Sequence, residues 1–272
     1  MGDQAELARR FLALHDGADG PLLLANAWDA GSAKLLESAG FDALATTSSG
    51  YAATRARLDY GVTREDVLAH VETVVAATAL PVSADFEDCF AADAAGVAET
   101  VRLGRDAGLA GCSIEDWSDA KGALYDLDTA TERVAAAAAE AHSGPVRLVL
   151  TARAENHLRG NPDVADTIAR LKAYEDAGAD VLYAPAFDRP EDLRELLAVV
   201  SLPVNVLAHA GAPPVSELAE LGVKRVSVGG AFAFVAYGAA LEAARELRER
   251  GTYGFAKLSA AGGKAARAAF SG

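Results

Sequence analysis

Short apolar runs alternate with longer amphipathic segments from one end of the chain to the other. Eight runs read as strands: Leu22–Asn26, Ala43–Thr47, Val82–Phe86, Gly111–Ile114, Leu148–Ala152, Val181–Ala184, Val204–Leu207 and Val226–Val228. Each is short and almost continuously apolar, as expected of parallel strands covered on both faces. The segments between them carry the helical period. After Thr63, the residues Val67, Val71, Val74 and Val75 fall on one face, and Asp66 stands where a capping box places its acceptor. Asp163–Gly178, Pro190–Val200 and Ala231–Gly251 have the same character. Four predicted helices end at a glycine just before the next apolar run, at Gly40, Gly108, Gly178 and Gly222. Glycine suits the left-handed residue that closes a helix.

Eight strands alternating with helices predict a (β/α)8 TIM-type barrel, with an open doubly wound sheet as the alternative. No linker or break in composition splits the chain, so 1–272 reads as one domain. The stretch 253–272, rich in Ala, Gly and Lys, follows the eighth helix. It is expected as a terminal helix on a neighbouring subunit or as a fraying tail.

Composition narrows the class. The 272 residues match the roughly 250 of a typical barrel, and a hydrophobic share of 51% supplies its core. A net charge of −14 argues against a nucleic-acid surface and against adsorption to anionic lipid. The two cysteines, Cys89 and Cys112, make no disulfide framework. Neither a signal-like N-terminus nor an apolar run of ~20 residues is present, so a soluble cytoplasmic protein is expected, with no nucleic-acid or membrane partner.

Catalytic groups of such barrels sit at the C-terminal ends of the strands. There the chain places Asn26-Ala-Trp28-Asp29, Thr47-Ser-Ser49-Gly50-Tyr51, Asp85-Phe-Glu87-Asp88, Glu115-Asp116, Arg153 followed by Glu155 and Asn156, Asn205 with His209 beyond it, and Gly229-Gly230. Carboxylates on adjacent strand ends repel one another, and a divalent cation removes the conflict. Asp85, Glu87 and Glu115 are the candidate metal ligands, and oxygen-only donors favour Mg²⁺ or Mn²⁺. The alternative is that these acids cap the following helices, a role that suits Asp88 and Asp116 better. Arg153 can bind a substrate carboxylate or phosphoryl group, or form a structural ion pair. Ser49-Gly50-Tyr51 can offer backbone donors to an anionic oxygen, or be an ordinary turn. Gly229-Gly230 fits either a phosphate or close packing. His209 is a possible acid or base, or a wall residue. His15, His70 and His142 lie in helical stretches and are expected on the surface. Cys89 has no histidine partner and, like Cys112, is expected in the core. No lysine ends a strand, which sets aside a Schiff-base aldolase.

Six stretches together resemble the isocitrate lyase/phosphoenolpyruvate mutase superfamily. They are Asn26-Ala-Trp-Asp-Ala-Gly-Ser32, Ala45-Thr-Thr-Ser-Ser-Gly50, Ser83-Ala-Asp-Phe-Glu-Asp88, Gly111-Cys-Ser-Ile-Glu-Asp116, Leu150-Thr-Ala-Arg153 and Pro203-Val-Asn-Val-Leu207. They follow the family's order and span nearly the whole chain. The resemblance implies a barrel that binds Mg²⁺ and a 2-oxo acid, makes or breaks a C–C or P–C bond beside an enolate, and assembles as a homo-oligomer, often a tetramer. It carries the metal role onto Asp85, Glu87 and Glu115, and an acid–base role onto Asp59 in Leu58-Asp-Tyr-Gly61. It carries substrate contacts onto Arg153, Ser49, Gly50, Tyr51 and Asn205. Three departures bear on the reaction, one being that the Lys-Pro-rich gating loop of the phosphonate enzymes is missing. The family's Asp-x-Asp run continues into a glycine and an aromatic, whereas here Glu87 replaces the second Asp and Cys89 follows Asp88. The lyases' Lys-Lys-Cys-Gly-His loop is replaced by Asp116-Trp-Ser-Asp-Ala-Lys-Gly-Ala-Leu-Tyr125, which argues against isocitrate or methylisocitrate cleavage. The expectation is a Mg²⁺-dependent carbon–carbon lyase or oxaloacetate-type decarboxylase. Phosphonopyruvate chemistry and a non-catalytic oxo-acid-binding barrel are the alternatives.

Overall fold

The computed structural model describes residues 3–17 and 20–271, so Met1, Gly2 and Gly272, the ends of the expected one-domain span, lie outside the described residues. Eight parallel strands close into a barrel: β1 (Leu22–Ala27), β2 (Leu44–Thr46), β3 (Val82–Asp85), β4 (Gly111–Glu115), β5 (Val149–Arg153), β6 (Val181–Tyr183), β7 (Val204–Leu207) and β8 (Arg225–Ser227). Each strand pairs with its neighbours in sequence, and β8 returns to β1 through Leu22↔Arg225 and Leu24↔Ser227. An open sheet would leave two edges and this sheet has none, so the doubly wound alternative is excluded. All eight expected runs are strands, shifted by no more than one residue at either end.

The connecting helices are α1 (Gln4–Ala13), α2 (Ala30–Ser38), α3 (Ser48–Thr54), α4 (Arg64–Ala77), α5 (Ala94–Asp106), α6 (Leu127–Ala141), α7 (Val164–Asp176), α8 (Pro190–Leu197), α9 (Val215–Leu221), α10 (Ala231–Arg250) and α11 (Ala256–Phe270). Their starts follow local chemistry. Asp93, Asp126 and Asp163 accept from the third N–H of α5, α6 and α7, and Thr63 with Asp66 forms a complete capping box on α4. Their ends follow the predicted glycines: Gly40, Gly108, Gly178 and Gly222 have φ of +90°, +98°, +99° and +101°.

Two apolar layers hold the barrel. Outward strand residues such as Leu44, Ala84, Ile114, Leu150, Leu182 and Val206 pack against Val71, Val97, Leu171 and Leu193 of the helices, and both cysteines are buried there. A second cluster closes the N-terminal end of the barrel, where Phe11 and Ala8 of α1 plug against Leu22, Ala43, Val149 and Val181. Two histidines correct the surface expectation because their helix faces turn inward. His15 is buried with Nδ1 2.8 Å from the Phe11 carbonyl, and His70 is buried with its ring stacked on Tyr51 at 4.0 Å between centroids. His142 is half-buried and meets Asp180 at 2.9 Å. Beyond the barrel, α11 packs against α2. Phe234, Val235, Tyr237 and Leu241 of α10 are exposed. Among the described residues, no helix is long and apolar enough to cross a membrane.

Candidate active site

At the C-terminal ends of the strands a cavity of about 180 Å³ opens, lined among others by Asn26, Ser49, Asp59, Asp85, Arg153 and Tyr183. Arg153, the last residue of β5, is among its lining residues. Its Nη1 donates to Asp85 Oδ1 at 2.9 Å, and its Nη2 meets Glu115 Oε2 at 3.1 Å. Nε and Nη2 both reach Glu155 Oε1, at 3.0 and 2.9 Å. One guanidinium therefore serves three carboxyl groups, which outnumber it three to one and would leave an excess of two negative charges if all were ionised. Burial pulls the guanidinium down, but Glu155, Glu115 and Asp85 outweigh it and hold it well above the ordinary arginine value. Burial, then the Glu155 charge, push the Glu115 carboxyl well above the carboxylate range. Glu155, two residues beyond the end of the same strand, completes this group.

The three candidate metal acids occupy different depths. Asp85 lines the cavity. Glu115 lies behind it, fully buried, accepting from Tyr60 Oη at 2.5 Å. Glu87 faces an adjoining cavity of about 420 Å³ that Tyr60 and Asp88 also line. Its Oε1 is buried without a hydrogen-bond partner, and burial, followed by the charges of Asp85 and Asp59, pushes its carboxyl up to about 9. Among the described residues, no three His, Cys, Asp or Glu side chains converge into a ligand cage. The loop that carries Glu87 is strained. Glu87, Cys89 and Phe90 have φ of +50°, +60° and +53°, and Tyr60 on the facing loop has +62°. Non-glycine residues held there cost on the order of 1–3 kcal/mol each, and such strain gathers at functional sites.

The turn after β2 offers fewer donors than its sequence suggests. The Ser48 N–H is directed at Asp85 Oδ2 (3.3 Å), the Gly50 N–H at Thr47 Oγ1 (3.3 Å) and the Tyr51 N–H at the Thr47 carbonyl (3.0 Å). Ser49 lines the cavity, whereas Gly50 and Tyr51 do not. Gly50 is there for space: a Cβ would fall 2.6 Å from Thr47 Cγ2 and 3.2 Å from Ala233 Cβ. Asn205 reaches the cavity, but its amide is engaged, donating to Ser227 Oγ at 2.9 Å and accepting from Arg225 Nε at 2.9 Å. Asp59 is exposed as a residue, yet its carboxyl turns into the cavity. Dehydration there and the Asp85 charge raise it above the usual carboxylate value.

Several alternatives resolve. Gly229 donates its N–H to Asn26 Oδ1 at 2.9 Å, and a Cβ on Gly230 would sit 2.5 Å from Ser49 Oγ, so this pair serves close packing. His209 lies between Asp188 and the Gly211 N–H, both ring nitrogens engaged. Asp116 is no helix cap. It is buried and accepts from Arg170 Nη1 (2.9 Å), Tyr174 Oη (2.6 Å) and the Glu155 N–H (2.8 Å), tying the β4 and β5 ends to α7. Asp88 likewise leaves capping to Asp93 and accepts from Tyr125 Oη at 3.2 Å.

The profile of the phosphoenolpyruvate phosphomutase family matches residues 11–248. The chain belongs to the phosphoenolpyruvate mutase/isocitrate lyase superfamily. It is 30% identical over 220 residues to the 2-methylisocitrate lyase of Escherichia coli K12, covering 77% of this chain and 73% of that one. A Burkholderia cenocepacia J2315 structure, provisionally assigned as a lyase/mutase, superposes with a TM-score of 0.90 at 49% identity, covering 93% and 92% of the two chains. The structure of 2,3-dimethylmalate lyase, itself a superfamily member, superposes with a TM-score of 0.81 at 27% identity, covering 91% and 89%. Within this superfamily barrel, sequence reasoning left Glu155 without a role and missed Tyr60, Arg159 and Arg225. Arg159 stacks on Trp117 at 4.2 Å and bonds the Tyr60 hydroxyl, closing the far side of the Glu115 pocket. Tyr60 adjoins Asp59 and could have been found from that loop. Arg225 was hidden because its strand starts one residue earlier than the apolar run.

Proposed function

We propose that this superfamily member is a divalent-metal-dependent enzyme acting on a small 2-oxo acid, cleaving or forming the C–C bond beside its carbonyl. Oxaloacetate-type decarboxylation, or a lyase reaction with a pyruvate-like product, is the reaction class. The observation that carries this reading is the convergence of three carboxyl groups, Asp85, Glu115 and Glu155, on the single guanidinium of Arg153. The orphaned buried oxygen of Glu87 and the raised carboxyls of Glu87 and Glu115 point the same way. An oxygen-only donor set with excess negative charge fits Mg²⁺ or Mn²⁺. Mg²⁺ takes one or two carboxylates directly and keeps several waters, so a full protein cage is not required. Asp85 is the direct ligand in this reading, with Glu87 and Glu115 acting through water. Bound there, the cation would stabilise negative charge developing on the carbonyl and carboxylate oxygens of the oxo acid.

The remaining work falls to the chain. Arg153 orients the substrate carboxylate and shares its charge. Ser49 contacts the same carboxylate from the β2 turn, while Gly50 and Tyr51 shape that turn from behind. Asn205 braces the wall. Asp59, raised and aimed into the cavity, moves the proton to or from the reacting carbon. Tyr60 and Arg159 hold Glu115 in place. A second reading, P–C chemistry on phosphonopyruvate, is favoured by the phosphomutase family whose profile the chain matches. The absence of the lyases' cysteine loop keeps binding without turnover as a third outcome. The chain is read as a cytoplasmic homo-oligomer, supported by the exposed apolar side chains of α10.

Calorimetry with oxalate, a stable mimic of the pyruvate enolate, tests the site. Binding is expected with Mg²⁺, and its loss is expected with chelator and in Glu115→Gln. Oxaloacetate and phosphonopyruvate are then followed for pyruvate and phosphate release. Failure of oxalate to bind in either condition would overturn the reading. Binding without turnover of any candidate would leave the third.

A further inference from the structure

Below the rim the barrel interior is polar. Ser83, Ser113, Thr151, Asn205 and Ser227 line the lower wall of the cavity, where barrels ordinarily stack Val, Ile and Leu. Among them stands Arg225, only 4% exposed. Its partners are all neutral: Asn205 Oδ1 at 2.9 Å from Nε, Thr151 Oγ1 at 3.0 Å from Nη2 and His15 Nε2 at 3.3 Å from Nη1. His15 Nδ1 lies 2.8 Å from the Phe11 carbonyl and must carry its proton to bond there, so Nε2 is an acceptor and the imidazole is neutral. Burial pulls Arg225 down to about 9, and nearby Arg153 pushes the same way.

Arg105 and Arg170, by contrast, pair with carboxylates, at 2.5 Å from Glu140 and 2.9 Å from Asp116. No carboxylate pairs with Arg225 among the described residues, and leaving a buried charge uncompensated costs several kcal/mol. A guanidinium has five N–H donors, and the three contacts leave about two of them free, one on each terminal nitrogen. Among the described residues, the apolar plug of Phe11, Leu22, Val149 and Val181 lies underneath, and Arg225 lines the cavity that opens above. Thr151 precedes Arg153 by two residues on β5, which puts this layer about 7 Å below the Arg153 guanidinium's strand position.

We propose that Arg225, with Thr151, Asn205 and Ser227, forms the floor of a second anion site that takes a small carboxylate one layer beneath Arg153. The site stands apart from the metal and from any assignment of the reaction. Its carboxylate has two possible sources: a free small anion, or the second carboxylate of a dicarboxylic substrate.

The test uses the full chain. Melting is followed against formate, bromide and gluconate at equal ionic strength, in wild type and in Arg225→Met, which keeps the bulk and removes the charge. A saturable rise of a few degrees is expected with formate and bromide, none with gluconate, and no selective rise in the variant. Bromide-soaked crystals of the wild type are expected to show an anomalous peak against Arg225, which keeps the test open if the variant does not fold. Absence of that peak, equal response to gluconate, or an unchanged response in Arg225→Met would each overturn the site. Expulsion of bromide by oxaloacetate but not by pyruvate would identify the carboxylate as the substrate's own. Retention against both would identify a resident free anion. Metal-dependent oxalate binding reports on the upper site separately, so either site can fail alone.

Discussion

At the scale of single residues, the chemistry of the site was legible and its pairing was not. Asp85, Glu115 and Arg153 stand out because each is a charged residue ending an apolar strand. That Glu155 joins them, or that Tyr60 caps Glu115, depends on how two loops fold over the rim. The altered acidic run is instructive. Within it Glu87, Cys89 and Phe90, none of them glycine, hold glycine-like backbone angles. The surrounding packing therefore enforces a conformation that these residues do not favour. Removing the central cation should expose the stakes. Arg153→Met leaves three buried or half-buried carboxylates without their guanidinium and is expected to cost about 3–5 kcal/mol, read as a lowered urea midpoint. The same change is expected to abolish oxalate binding.

His70 gives a pH test at the same scale. Burial holds its imidazole down at about 4, below the ordinary 6.5. The neutral ring is favoured in the folded state, so its contribution is complete above pH 6.5. As pH falls, the unfolded chain takes up the proton first, and the contribution is lost between pH 6.5 and about 4. The shift corresponds to roughly 3 kcal/mol. His70→Phe, which keeps an aromatic ring against Tyr51, is expected to show a shallower decline of stability over that window in denaturant titrations. A parallel decline in both proteins would contradict the burial argument.

At the scale of elements, strands and helix ends followed local rules closely. Period, caps and terminal glycines are properties of a few adjacent residues, so they survive without knowledge of the fold. Thr63 and Asp66 cap α4 because three residues separate donor from acceptor in any helix. The turn at α3 was harder to read, because its meaning lies in contacts with Trp28 and Ala233, distant in sequence. Gly50→Ala is expected to destabilise by about 1–3 kcal/mol, since the added methyl meets Thr47, Ala233 and Trp28 at 2.6–3.3 Å. It should also weaken oxalate binding by displacing Ser49, whereas a silent variant in both assays would remove the turn from the site.

At the scale of the molecule, eight strands could be counted in advance, but their closure into a barrel needed β8 to find β1. The C-terminal helices carry the proposal of a homo-oligomer. Phe234, Val235, Tyr237 and Leu241 expose apolar surface on α10, and Leu258 and Phe270 do so on α11. Light scattering after size exclusion is expected to show a homo-oligomer. Deletion of 253–272 should lower the subunit count while the far-ultraviolet spectrum of the barrel is kept. A wild type that runs as a monomer would remove the assembly from the reading.

Taken alone, the sequence determined the alternation of eight strands with helices, the helix caps and the row of acids at one end, because each rests on spacing along the chain. The tertiary structure decided which charges meet. It gathered three carboxylates on Arg153, turned Glu87 toward a neighbouring cavity, and set Arg225 among neutral partners inside the barrel. Closing the sheet makes residues more than a hundred positions apart into neighbours, and burial then multiplies the energy of every charge it encloses.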